Sequence, residues 1–137
     1  MDRASGYVNL VTSEYLKEIN KEMIRLGGGE GVGVKDENLF QSLLIGYNQE
    51  VFGISVYPNI KDKISYIVFS IICNHVFRDG NKRTGMFVLT SLCNKFKIDI
   101  SNIDRKELAI LLGTSSITLE DLAGIIKKNN INYRKNN

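Results

Sequence analysis

Apolar residues recur along this chain at steps of three and four, the spacing that lines one face of an α-helix. Leu16, Ile19, Met23 and Leu26 share such a face, and Thr12 stands where an N-cap belongs, so a first helix is expected from about Thr12 to Leu26. Gly27-Gly28-Gly29 stops it, and the stretch to Val34 reads as a flexible loop. Phe40, Leu43, Leu44 and Tyr47 mark a second helix from about Glu37 to Asn48, capped by Asp36. A third begins after Asn59 and runs to about Asn74. Its broad stripe of Ile60, Ile64, Ile67, Val68, Ile71 and Ile72 predicts that most of it is buried. A fourth follows the polar segment His75 to Arg83 and runs to about Phe96. Met86, Phe87, Leu89, Leu92 and Phe96 are spread around it, so it too should be central. Two shorter helices are expected, one from Asp104, with Glu107 three residues on, to Gly113, and one from Thr118, with Asp121 three residues on, to about Asn129.

One stretch breaks the period. Val51-Phe52-Gly53-Ile54-Ser55-Val56-Tyr57-Pro58 mixes β-branched and aromatic residues with a glycine and the single proline. It reads either as a short extended flap or hairpin over about 51–57, or as a connector whose aromatics fill core. The expected fold is therefore all-α: a single compact domain over 1–137 with about six helices, a core on the third and fourth, and flexible ends at 1–6 and 130–137.

Length and composition agree with one globular domain, and charge adds a distinction. The net charge is +3, but residues 127–137 hold four cations and no acid, which leaves the rest near −1. The basic balance belongs to the tail and not to the fold, and a solvated chain end accounts for it. Cys73 and Cys93 lie in apolar helical patterns and are expected as free thiols of a reducing cytoplasm, not as a disulfide framework. One histidine is too few for most zinc sites. Met1 is followed by Asp2 and Arg3 without an apolar run, so no signal peptide is expected. No apolar stretch approaches ~18 residues, so no membrane helix is expected.

The segment His75 to Arg83 carries the candidate chemistry. It places the only histidine, an acid, a glycine, an amide and two adjacent cations between the two most apolar helices. Gly80 and Asn81 enter a helix, whose N-terminus offers unpaired N–H groups and a positive dipole end. Glycine lets an anion come close, Lys82 adds a mobile point charge, and Arg83 adds a fork of donors. Asp79 is a lone carboxylate beside this cradle, the usual protein ligand for magnesium that arrives with phosphates. His75 can take a proton from a hydroxyl near neutral pH. Phe77 is expected to point into the core and anchor the loop. Taken singly, each feature is an ordinary cap, turn or basic pair; within nine residues they form a candidate polyphosphate site.

The string His75-x-Phe77-x-Asp79-Gly80-Asn81-Lys82-Arg83-Thr84 resembles the signature of the Fic/Doc family, His-(Pro)-Phe-x-(Asp/Glu)-(Gly/Ala)-Asn-(Gly/Lys)-Arg. The similarity extends from about Tyr7 to Asn129 and includes the glycine-rich turn and the Tyr57-Pro58 pair. The resemblance implies an all-α enzyme that binds ATP and Mg2+. It makes His75 the general base, Asp79 the magnesium ligand, and Gly80, Asn81, Lys82 and Arg83 the phosphate-binding group. Lys82 stands where nucleotidyltransferases of the family carry a second glycine, and Met86 where they carry another arginine. Val76 replaces their proline. These departures favour the Doc branch, and with it transfer of the ATP γ-phosphate to a serine or threonine. Transfer of AMP by the same site is the nearest alternative, and a non-enzymatic module that binds nucleic acid or an antitoxin is the second. Ser116-Ile117-Thr118-Leu119-Glu120-Asp121 comes near the family's inhibitory helix motif but ends in aspartate, so Glu120 reads as a helix start. The implied partners are a cognate antitoxin protein and a target protein, elongation factor Tu by resemblance. Neither a membrane nor nucleic acid is the expected partner.

Overall fold

The computed structural model describes the backbone of residues 11–51, 54–55 and 59–135. Among them are six helices: α1 (Ser13–Gly27), α2 (Glu37–Asn48), α3 (Ile60–Cys73), α4 (Asn81–Lys95), α5 (Arg105–Gly113) and α6 (Leu119–Lys135). Their starts are set locally, because a short polar side chain satisfies an N–H that the helix itself leaves unpaired. Thr12 accepts from Tyr15 N–H, Asp36 from Leu39, Asn59 from Lys61 and Asp104 from Glu107. At α6 the exchange is reciprocal: Asp121 N–H donates to Thr118 Oγ1 at 3.1 Å, and Thr118 N–H to Asp121 Oδ2 at 2.9 Å.

The two apolar helices do lie at the centre. Ile64, Ile67, Val68 and Ile71 of α3 and Val88 and Leu89 of α4 are fully buried. They pack closely because α4 carries Gly85, where a Cβ would run into the Ile72 side chain. α1 lies on α4 through Leu16 and Ile19, α2 on α3 through Phe40, Leu43 and Tyr47, and Leu122 and Ile126 of α6 complete the core. Lys127 of the basic stretch pairs with Asp62 at 2.8 Å, tying α6 to the start of α3.

Between α2 and α3 the chain forms a minimal hairpin, with Glu50–Val51 antiparallel to Ile54–Ser55. Of the two readings of this stretch, the extended one describes the backbone at Val51, Ile54 and Ser55. Phe52, Gly53, Val56, Tyr57 and Pro58 lie outside the described residues, as do 1–6 and 136–137.

Three expectations need correction. Leu26 is 65% exposed, since the last turn of α1 runs past the core, and Asn20 takes a buried place on the same helix. Phe87 is also exposed, on the outer side of α4. The backbone of α6 continues to Lys135 instead of ending near Asn129, and no glycine or proline stands there to stop it. Cys73 and Cys93 are free, and Cys93 is buried. No helix among the described residues is long and apolar enough to cross a membrane.

Candidate functional site

The segment joining α3 to α4 is held from below by one side chain and from the side by a strand contact. Phe77 is fully buried and meets the Phe40 ring edge-on, centroids 5.6 Å apart. Its backbone is gripped by Asn81, whose Oδ1 accepts from Phe77 N–H at 2.9 Å while its Nδ2 donates to Phe77 C=O at 3.0 Å. The glycine-rich stretch after α1 is not free along its length. Val34 bridges Phe77 in antiparallel fashion, Lys35 N–H donates to Val76 C=O at 2.8 Å, and Arg78 N–H donates to Gly33 C=O at 2.9 Å. The loop between the central helices is thereby fixed in a two-stranded contact before any ligand arrives.

Gly80 turns the chain into α4 with φ of 72°, a conformation that costs a residue with a Cβ but not glycine. No side chain caps this helix. Its first internal bond runs from Thr84 N–H to Gly80 C=O, so the N–H groups that open the helix have no partner within it. Asp79 lies beside them. Its Oδ2 accepts from Glu30 N–H at 2.8 Å and its Oδ1 from Gly80 N–H at 2.7 Å. These two bonds, helped by the Arg83 charge, hold the Asp79 carboxyl below the usual carboxylate range, so it is ionised at neutral pH.

The two cations are placed differently. Lys82 is exposed, and its stem lies over Gly113, where a Cβ would come within 2.7 Å of Lys82 Cδ. Arg83 donates to Met23 C=O and Gly28 C=O, both at 2.6 Å. Gly27 leaves the space this requires, since a Cβ there would strike the guanidinium. His75 is exposed and follows the C-cap Asn74 with φ of 50°. Lys97 and Ser115 take the same left-handed step after α4 and α5, so three of the helices end in this way.

His75, Asp79, Gly80, Asn81, Lys82 and Arg83 line one cleft of about 340 Å³ together with Arg78. Every residue read as a site residue therefore meets there except Phe77, which lies beneath as the anchor. Two of these side chains also have structural partners: Asn81 holds the Phe77 backbone, and the Arg83 guanidinium holds the carbonyls of Met23 and Gly28, so each shapes the cleft wall. Three contributors were missed: Arg78, the Glu30 amide and Asn20. A polar residue next to Ile19, on the face that carries Leu16, was the available signal for Asn20.

Among the described residues no group of three or more His, Cys, Asp or Glu side chains could hold a metal ion. A single ionised carboxylate at the mouth of an anion cleft suits a magnesium ion that brings its other oxygens from phosphates and water. Beside the cleft lies a groove of about 430 Å³ lined by Met86, Arg105, Lys106, Ala109 and Ile110; it shares Lys82 and Arg83 with the cleft.

A model of the Fic/DOC family matches residues 10–93, which include α1 to α3, the whole 75–83 segment and most of α4. Toxin Doc of Mycolicibacterium smegmatis is 37% identical over 57 residues, 42% of this chain and 43% of that protein. The similarity thus spans less than half the length of that relative. No solved structure matches the chain.

Proposed function

The chain belongs to the Fic/DOC family, and from that premise we propose that it is a Doc-type toxin acting as a protein kinase, which moves the γ-phosphate of ATP to a serine or threonine hydroxyl. The observation that carries this reading is the way the cleft and the groove meet. They share Lys82 and Arg83, while His75 lines only the cleft. A nucleotide with its base in the apolar groove and its phosphates past Lys82 offers the terminal phosphate, not the first, to His75. Met86 supports the same direction, since it puts no charge at the position where nucleotidyltransferases of the family carry another arginine.

In the proposed reaction His75 accepts the hydroxyl proton. The freed oxygen bonds to the γ-phosphorus as the bond to the β–γ bridging oxygen breaks, leaving ADP and a phosphorylated side chain. Lys82, Arg83 and the N–H groups opening α4 stabilise charge on the phosphates, which is most of what phosphoryl transfer asks of a protein. Magnesium bound with the nucleotide would be held by Asp79 and would neutralise phosphate charge. By family resemblance the target is elongation factor Tu, the consequence arrest of translation in the cytoplasm, and the restraint a cognate antitoxin protein.

The test is the intact mass of the target after incubation with ATP, magnesium and this protein. A gain of one phosphate is expected. A gain of an adenylyl group, several-fold heavier, would replace the kinase reading with AMP transfer, and an unchanged mass would count against both.

A further inference from the structure

Asn20 is fully buried although it is polar, and it lies on α1, fifty-five residues before the motif histidine. Its amide is fully used as a donor: Nδ2 reaches Asp79 C=O at 2.9 Å and Thr84 Oγ1 at 3.2 Å. Its Oδ1 accepts from Gly33 N–H at 3.2 Å. One side chain thus joins three segments, namely the end of the motif loop, the first turn of α4 and the strand that follows the glycine-rich turn.

The peptide bond explains why this matters for the cleft. The Asp79–Gly80 peptide is planar and trans, so its C=O and N–H point in opposite directions. Fixing the Asp79 carbonyl to Asn20 therefore aims the Gly80 N–H the other way, and there it meets Asp79 Oδ1 at 2.7 Å. The bond to Thr84 holds the residue that closes the first turn of α4 on Gly80 C=O. The bond to Gly33 fixes the residue whose own carbonyl receives Arg78 N–H.

We propose that Asn20 is a positioning residue for the phosphate cleft, holding the Asp79–Gly80 peptide plane and the first turn of α4 so that the Asp79 carboxylate and the N–H groups that open α4 line the cleft. The inference rests on the reading of the cleft as a phosphate site. It adds a residue of α1, outside the motif, whose loss is felt as lost anion binding and not only as lost stability.

The experiment uses the full chain and inorganic tripolyphosphate with magnesium as the probe. Asn20→Ala is compared with Leu16→Ala, a buried residue one turn earlier on the same helix. Both lower the melting temperature. Asn20→Ala is expected to weaken tripolyphosphate binding by about tenfold or more, as loss of an outer-shell partner does, and to move the amide resonances of Gly80, Asn81 and Lys82. Leu16→Ala leaves affinity and those resonances in place. Equal affinity in the two variants, with unmoved Gly80 and Asn81 amides, overturns the proposal. Should Asn20→Ala fail to fold, Thr84→Val frees one of the two donors and keeps the side-chain shape. A several-fold loss of affinity then supports the proposal, and unchanged affinity contradicts it. If the wild-type protein ignores tripolyphosphate, the phosphate reading of the cleft falls. The amide resonances then still decide whether Asn20 orients the loop.

Discussion

The Glu30 N–H donates to Asp79 Oδ2 at 2.8 Å across 49 residues of sequence, so the glycine-rich turn after α1 is tied to the carboxylate of the cleft and is not a spacer. The same turn receives Arg83, through Gly28 C=O, and packs against Arg78 at Gly31. Each Asp79 oxygen accepts one N–H and keeps a lone pair free, so these contacts fix the carboxylate without closing it to a cation.

The Asp79 bonds make stability depend on pH with a definite sign. A carboxyl whose pKa is lowered on folding stabilises the folded state when ionised, and its ordinary value is 3.8. The contribution is fully present well above that value and is lost as the pH falls through the lowered one. Asp79→Asn should therefore melt below the wild type at neutral pH, with the difference shrinking toward acid. Thermal melts of both proteins from neutral to strongly acid pH check this. A difference that does not change with pH would contradict it.

His75 separates strain from chemistry. It sits at φ of 50°, which costs a residue with a Cβ roughly 1–2 kcal/mol relative to glycine. His75→Gly should leave stability unchanged or raise it by up to about 1 kcal/mol, and His75→Ala should keep it near wild type. Both should slow phosphoryl transfer by about 10²–10⁴-fold, the range for loss of a general base, and abolish toxicity. Denaturant melts and growth arrest measure the two effects, and normal growth arrest by either variant would remove His75 from its role.

Asn81 should behave as a structural residue first. Its truncation leaves the N–H and C=O of buried Phe77 without partners. Asn81→Ala is expected to cost about 2–4 kcal/mol, from two buried groups at about 1–3 kcal/mol each partly rescued by water. Urea denaturation measures it. A loss under about 0.5 kcal/mol, typical of an uninvolved surface position, would show that the Phe77 backbone does not depend on Asn81.

Gly85 tests the packing of the two central helices. On helix propensity alone Gly85→Ala should stabilise by roughly 1 kcal/mol. The added Cβ meets Ile72, itself buried in the core, and overpacking there costs about 1–3 kcal/mol. The net expectation is destabilisation, read as a lower melting temperature. A higher one would mean that α3 and α4 stand further apart.

Local chemistry made much of the fold legible. Thr12, Asp36, Asn59, Asp104 and Thr118 cap the helices that their positions announced, because an N-cap bond reaches only two or three residues along the chain. The burial of Phe77 followed from one aromatic in a polar run. What the sequence hid depends on partners distant along the chain. Asn81 and Arg83 look like anion ligands by type, and in the folded chain their side chains also hold the Phe77 backbone and the carbonyls of Met23 and Gly28. Only the folded chain brings those groups to them. Leu26 fits the helical period and still faces solvent, since periodicity names a face and not where the core ends.

The central claim is that a triphosphate binds between His75 and the Lys82–Arg83 pair. Following backbone amide resonances during titration with ATP and magnesium tests it most directly. Saturable shifts are expected at residues 75–83, with smaller ones at Glu30 and along Met86, Ala109 and Ile110. Shifts confined to the basic residues from Lys127 onward, or none at all, would contradict it.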